Sequence, residues 1–175
     1  ICSNLSIRTD AVSGQVRLIS GGSFNIDRLD LTSLENSIGF RLALKNPEAV
    51  ESLIIQNGNA YDEGLRDFWI PIKKYWNEAS DANAQPLTKF ISEDGVRWQY
   101  THGTRDPQAI NPDNWLLDGL HLNRPGNGAI QLKLFYDYQT NVPLYPAFQA
   151  YFRNYQPPTL IVWGANDFIF PPEGA

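Results

Sequence analysis

The aspartate at position 167 follows a short apolar run, and that placement is typical of a catalytic carboxylate. The run Leu160-Ile161-Val162-Trp163 lies between the breakers Pro157-Pro158 and Gly164, which predicts a buried strand. In parallel sheets, ligands and catalytic groups collect beyond the carboxyl ends of the strands. A carboxylate there could orient a histidine that acts as a general base. The structural alternative is an aspartate that accepts hydrogen bonds from the turn after the strand.

The chain contains two histidines, His102 and His121. A general base must lie beside both the nucleophile and the acid. Both histidines fall in a segment whose pattern is helical, far from either strand end. Their positions therefore favour surface or structural roles, and their separation does not form a recognisable metal site.

Composition narrows the classes of function. The chain has 175 residues, of which 42% are hydrophobic and 13% aromatic, enough for a packed core in a single domain. A net charge of −5 without a basic stripe argues against nucleic acid as a partner, and no apolar run reaches the length of a membrane span. The lone cysteine, Cys2, excludes an internal disulfide and, without a signal peptide, favours the cytoplasm. Methionine is absent, which indicates a partial sequence.

The elements that must position Asp167 can be predicted from apolar periodicity and from turn residues. Residues 1–36 give little pattern beyond a short strand near 16–19. A buried helix begins after Asn36 or Ser37 and ends before Pro47, and a strand covers 50–55. Residues 61–155 predict a block of helices before the last strand, with spans at 63–76, 81–91, 112–120, 129–138 and 145–155 and a loop at 100–107. This order predicts an α/β core with an insertion of helices.

With these elements, the chain resembles the capped α/β-hydrolases, which include haloalkane dehalogenases and epoxide hydrolases. The resemblance rests on the sequences at 39–48, 53–61 and 135–142 and on the Trp163-Gly164-x-x-Asp167 loop. It implies an incomplete α/β-hydrolase core at residues 1–59, a helical cap at 60–156, and a core strand with the catalytic-acid loop at 157–175. It also implies a small organic substrate and no cofactor.

The resemblance implies a triad of nucleophile, histidine and acid, and Asp167 is then the acid. Ser33 stands where the nucleophile is expected, but Glu35 occupies a place that the nucleophile turn reserves for glycine. An aspartate nucleophile would indicate an epoxide or haloalkane, and a serine would indicate an ester. Because no histidine follows Asp167, we expect the chain as given to be inactive. The alternative is a non-catalytic binding protein that keeps the cap.

Four further residues are candidates for substrate binding. Tyr136 and Tyr138 resemble the cap tyrosines that donate hydrogen bonds to the ring oxygen in epoxide hydrolases, and Trp115 is a third candidate in the cap. Asn57 follows the strand at 50–55, where some relatives carry an acid or a halide-binding asparagine. Packing is the alternative for the aromatic residues, and a turn stabilised by its side chain is the alternative for Asn57. Leu34 stands where a dehalogenase places its halide-binding tryptophan, which counts against that activity.

Overall fold

The computed structural model describes residues 8–9, 16–21 and 32–175 of the chain, with side chains from residue 38 onward. Its four strands form one sheet in the order β1-β2-β3-β4. The first pair is antiparallel and the other two pairs are parallel. The strands are β1 (Arg8–Thr9), β2 (Val16–Gly21), β3 (Val50–Gln56) and β4 (Thr159–Val162). Because Gln56 pairs with Val162, the carboxyl ends of β3 and β4 meet at one edge of the sheet.

One helix, α1 (Thr32–Lys45), connects β2 to β3, and the other six lie between β3 and β4. We call residues 57–158 the insert. Its helices are α2 (Ile70–Asn77), α3 (Asp81–Thr88), α4 (Glu93–Thr101), α5 (Asp113–Leu122), α6 (Asn127–Asp137) and α7 (Tyr145–Tyr155). The predicted α/β class with a helical insertion is confirmed. No helix in the part of the chain that the structure describes is long and apolar enough to cross a membrane.

Two predicted helix starts are wrong. The first helix begins at Thr32, several residues before the caps predicted at Asn36 and Ser37. The helix predicted from Glu63 is preceded by two separate 3₁₀ turns, Asp62–Gly64 and Asp67–Trp69, and α2 begins only at Ile70. Pro71 lies in its first turn, where a missing N–H costs no helical hydrogen bond.

Helix α4 was not predicted: residues 93–99 lay between the helix predicted at 81–91 and the loop predicted at 100–107, and the last two residues of α4 fell within that loop. The Ser92 hydroxyl accepts from the Gly95 amide at 3.2 Å and so caps α4. A Cβ on Gly95 would lie 2.0 Å from the carbonyl oxygen of Lys89. The two helices are therefore joined by a turn that only glycine permits at this position.

The last strand is not buried as predicted. The side chains of Leu160, Ile161 and Val162 are 56%, 47% and 48% exposed. Among the described strands, β4 has a neighbour only on the β3 side. The apolar run thus predicted the strand correctly and its burial incorrectly.

The insert shares its largest hydrophobic cluster with the sheet and α1. Phe40 of α1 packs on Phe148 and Phe152 of α7, with ring centroids 5.3 and 5.1 Å apart. Arg41 donates from the same helix to Asn141 Oδ1 at 2.9 Å and to Thr140 Oγ1 at 3.0 Å. These contacts fix the helices of the insert against the α/β part of the chain.

A smaller cluster lies entirely within the insert. It contains Val96, Tyr100 and Leu122, with Trp115 packed against it. The Tyr100 hydroxyl donates to the carboxylate of Asp118, which is itself buried. This cluster joins α4 to α5.

Truncation to alanine should lower the free energy of unfolding much more at one leucine of the insert than at another. Leu87 is fully buried and Leu120 is 67% exposed, and both lie in helices. We expect Leu87→Ala to lower the free energy of unfolding by about 2–5 kcal/mol, because it leaves a cavity. Leu120→Ala should change it by less than about 0.5 kcal/mol. Urea denaturation of both variants checks this, and equal losses would contradict the packing described above.

Candidate active site

The ends of β3 and β4 bring Asn57 and Asp167 into contact. Asn57 directly follows β3 and has a left-handed backbone, with φ at 51°. Its Nδ2 donates to Asp167 Oδ2, and its Oδ1 accepts from the Gly164 amide at 3.4 Å. The two side chains therefore connect the two strands at their carboxyl edge. This edge was predicted as the site of chemistry, but the contact itself was not.

The other oxygen of Asp167 is used by the chain that follows it. Asp167 Oδ1 accepts from the amides of Ile169 and Phe170 at 2.8 and 2.9 Å. The structural alternative considered for this aspartate, a turn stabilised by its side chain, is therefore present. It occupies one oxygen and leaves the other to Asn57. An ionised carboxylate oxygen can accept more than one hydrogen bond, so Oδ2 can accept a further donor.

Two indole groups hold the carbonyls of the same two residues. Trp69 Nε1 donates to the carbonyl of Ile169 at 2.7 Å, and Trp163 Nε1 donates to that of Phe170 at 2.8 Å. Both residues are thus hydrogen-bonded through their N–H and through their C=O. The loop that carries Asp167 is consequently fixed from the strand and from the insert.

A second contact connects this loop to the segment after α4. Asn166 Nδ2 donates to the carbonyl of Gly103 at 3.0 Å. The ring of His102 stacks on Trp98, with centroids 4.5 Å apart, and meets Phe168 edge-on at 5.9 Å. The loop of Asp167 therefore contacts the insert on two sides.

Neither histidine donates to Asp167, whose three donors are Asn57, Ile169 and Phe170. His102 is exposed and His121 is buried in α5. Among the described residues, no three His, Cys, Asp or Glu side chains are grouped to hold a metal ion.

A buried hydrogen-bond chain lies beside the same sheet edge. Asn59, three residues beyond β3, donates from Nδ2 to the hydroxyl of Tyr145 at 3.0 Å. The hydroxyls of Tyr145 and Tyr138 are 3.2 Å apart. Relative exposures are 2% for Asn59, 2% for Tyr145 and 3% for Tyr138. Two phenols from the insert therefore meet above the end of β3.

Burial dominates the electrostatics of this pair. Loss of solvent raises the pKa of Tyr145 to about 12 and raises the pKa of Tyr138 well above its ordinary value. Both groups are thus neutral phenols at physiological pH and can act as hydrogen-bond donors.

The remaining predicted site residues have other surroundings. Tyr136 is exposed and meets Tyr75 edge-on at 5.9 Å, so it points away from its neighbour Tyr138. Trp115 packs in the small cluster of the insert, 5.9 Å below the guanidinium of Arg97. Ser33 lies in the first turn of α1, and its side chain lies outside the described residues. Its role as a nucleophile stays a prediction.

Three residues in contact with this site, Asn59, Tyr145 and Trp69, were not chosen as candidates from the sequence. Asn57 and Asn59 follow the same strand, and a turn cluster does not show that their side chains reach different partners. For Tyr145 and Trp69, as for the other aromatic residues of the predicted cap, packing was favoured over pocket lining. The usable signal was the position of Asn59 just beyond the carboxyl end of a parallel strand.

Comparison with known proteins agrees with this architecture. Residues 37–175 match the family described as the alpha/beta hydrolase fold. A protein of Saccharomyces cerevisiae named as an uncharacterized hydrolase is 43% identical over 142 residues, covering 79% of this chain and 49% of that protein. The chain thus spans about half the length of this curated relative. No solved structure gave a significant match. On the family match and the fold together, the chain belongs to the α/β-hydrolase fold family.

Proposed function

We propose that this protein hydrolyses epoxides through a covalent ester intermediate, that Asp167 orients the catalytic histidine, and that the insert is the cap over the substrate. The observation that carries the proposal is the buried phenol pair, Tyr138 and Tyr145, beside the strand ends that hold Asp167. Opening an epoxide places negative charge on the ring oxygen, and a phenol is a suitable donor for it.

The hydrogen bonds of three indole groups argue against a halide site at any of them. A departing halide needs free N–H donors. The indole N–H groups of Trp69, Trp76 and Trp163 all donate to backbone carbonyls. One N–H of the Asn57 amide donates to Asp167. The phenols are therefore better suited than these groups to meet a leaving oxygen.

Either hydroxyl of the pair can donate to the other, and we propose the direction that leaves Tyr138 as the donor to substrate. Asn59 can only donate through Nδ2, so the Tyr145 oxygen accepts. Tyr145 can then pass its own proton toward the Tyr138 oxygen, and the Tyr138 proton remains for the substrate. Each bond in such a series polarises the next one. Tyr145 and Asn59 would thus act through Tyr138 rather than on the substrate.

The reaction then runs in two steps. A carboxylate nucleophile attacks a ring carbon, the C–O bond of the ring breaks, and Tyr138 donates to the oxygen that leaves. A histidine held by Asp167 removes a proton from water, and the hydroxide attacks the carbonyl of the ester. The C–O bond of the ester breaks, and the proton of the resulting acid passes to the alcohol oxygen, which releases a diol and restores the carboxylate. The proton taken up by the histidine returns to Tyr138, which had given its own proton to the ring oxygen.

Ser33 cannot be the nucleophile for an epoxide substrate in this mechanism. Attack on an epoxide by a serine hydroxyl would give an ether, which activated water does not cleave. An epoxide substrate therefore requires a carboxylate nucleophile, which we place outside the described residues, whereas Ser33 as nucleophile would go with an ester. Since His102 and His121 do not donate to Asp167, we further propose that these 175 residues do not turn over by themselves.

Hydrolysis assays test the proposal on the complete product of the gene. We expect styrene oxide to be converted to its diol, with little release of halide from 1-chlorobutane or of nitrophenol from p-nitrophenyl acetate. Tyr138→Phe should lower kcat by roughly 10²–10³-fold, because it removes a donor that acts in the transition state. Asp167→Asn should lower it by about 10⁴-fold through the wrong histidine tautomer.

Tyr136→Phe is the matched control, since it removes an exposed phenol two residues away. Hydrolysis of the ester with no action on the epoxide would replace our proposal by an esterase. Binding of epoxide without turnover by the complete product would instead support a non-catalytic protein. Turnover by the 175 residues alone would contradict the proposed inactivity.

The raised pKa of Tyr145 predicts a loss of stability in alkali. The group ionises near pH 10 in the unfolded chain and near 12 in the folded one, so its contribution is complete below pH 10 and is lost as the pH rises toward 12. The shift corresponds to about 3 kcal/mol over that interval. The wild type should therefore lose stability faster than Tyr145→Phe above pH 10.

Urea denaturation between pH 8 and 11 measures the difference between these two proteins, and Tyr136→Phe controls for the loss of a phenol from the surface. A constant difference across the whole range would mean that Tyr145 is not held as a buried phenol.

A further inference from the structure

Asn57 makes two hydrogen bonds that a turn residue does not need. Its Nδ2 reaches Asp167 and its Oδ1 reaches the Gly164 amide, 110 and 107 residues away in the chain. It does so from a left-handed backbone, with φ at 51°. Asparagine, aspartate and glycine are the residues that adopt this conformation with least strain. This conformation directs the side-chain amide toward the residues that follow β4.

We propose that Asn57 is a positioning residue for the carboxylate of Asp167, an inference that rests on the proposed role of Asp167 as the triad acid. The amides of Ile169 and Phe170 fix Oδ1. Two bonds to one oxygen leave the carboxylate free to rotate about that oxygen. Asn57 fixes the second oxygen and so sets the plane in which Oδ2 faces the histidine.

This assignment replaces the predicted contact of Asn57 with substrate. One amide N–H donates to Asp167 and the amide oxygen accepts from Gly164. The nitrogen and the oxygen of the amide therefore both bind residues of the segment 164–170, which we call the acid loop. A residue that holds the acid should affect kcat, and a residue that binds substrate should affect KM.

Four variants test the contact in the 175-residue chain, and one of them is the single change Asp167→Asn that completes the double-mutant cycle. Asn57→Gly keeps the left-handed backbone and removes the amide. Asn57→Asp puts a second carboxylate against Asp167, and like charges in contact repel. The double variant Asn57→Asp/Asp167→Asn exchanges the two groups: the new amide oxygen can accept from Ile169 and Phe170, and its N–H can donate to the carboxylate at position 57.

At neutral pH we expect Asn57→Asp to lower the melting temperature by about 3–8 °C and the double variant to recover most of that loss. A double variant whose loss equals the sum of the two single losses would overturn the contact.

Amide hydrogen exchange gives a readout that is local to the acid loop. Without the amide of Asn57, the amides of Ile169 and Phe170 should exchange roughly five- to tenfold faster. The amide of Leu53, which donates to the Pro158 carbonyl within the sheet, is the internal reference and should not change. Equal acceleration at Leu53 would mean that Asn57 only stabilises the sheet, and no acceleration at all would overturn the proposal.

Kinetics on the complete gene product separate this inference from the proposed function. Asn57→Gly should lower kcat by roughly tenfold or more with little change in KM, and a rise in KM alone would return Asn57 to the substrate site. If the complete product hydrolyses no substrate, the proposed function fails, whereas the exchange and melting results still decide whether Asn57 holds Asp167.

Discussion

Two asparagines beyond the end of β3, Asn57 and Asn59, donate hydrogen bonds to different parts of the chain, and the arrangement of the candidate site depends on both bonds. Asn57 reaches the loop after β4, while Asn59 reaches Tyr145 in the insert. Asn59 is 2% exposed, and a buried amide without partners would cost about 1–3 kcal/mol. The same bonds that satisfy these polar groups therefore bring the acid and the phenols to one edge of the sheet.

Hydrogen bonds to both backbone and side chains hold the loop of Asp167 and so restrict movement of its carboxylate. Its Oδ1 accepts from the peptide groups of Ile169 and Phe170, whose carbonyls accept in turn from Trp163 and Trp69. The proposed role of Asp167 as the triad acid requires such support, because a carboxylate that reorients during the reaction stabilises the transition state less. The structural and catalytic interpretations of Asp167 are thus compatible, since each uses a different oxygen.

The elements that end at Pro, Asn or Gly could be predicted from the sequence, and those without such residues at their ends could not. Apolar runs closed by Pro, Asn or Gly predicted β3, α7 and the strand before Asp167, because the signal for each is local. Helix α4 was missed because Gly95 and the polar residues after Tyr100 resemble a loop. The bond between Asn57 and Asp167 joins residues 110 apart, and no local pattern encodes such a partner. Tyr138 lies just beyond α6 in a 3₁₀ turn, so the helix predicted at 129–138 did not decide which of Tyr136 and Tyr138 is buried.

The two glycines around Asn59 have a role that sequence patterns do not distinguish from an ordinary turn. A Cβ on Gly64 would lie 2.1 Å from Asn59 Oδ1, and a Cβ on Gly174 would lie 2.4 Å from the same atom. Neither glycine has a positive φ, so close approach and not backbone freedom requires them. Gly64 precedes α2 and Gly174 follows the acid loop, and both enclose the amide that bonds to Tyr145. The segment beyond Asp167 and the start of the insert therefore both pack on the side chain of Asn59. Because Asn59 also bonds to Tyr145, the position of the phenols depends on the position of the acid loop.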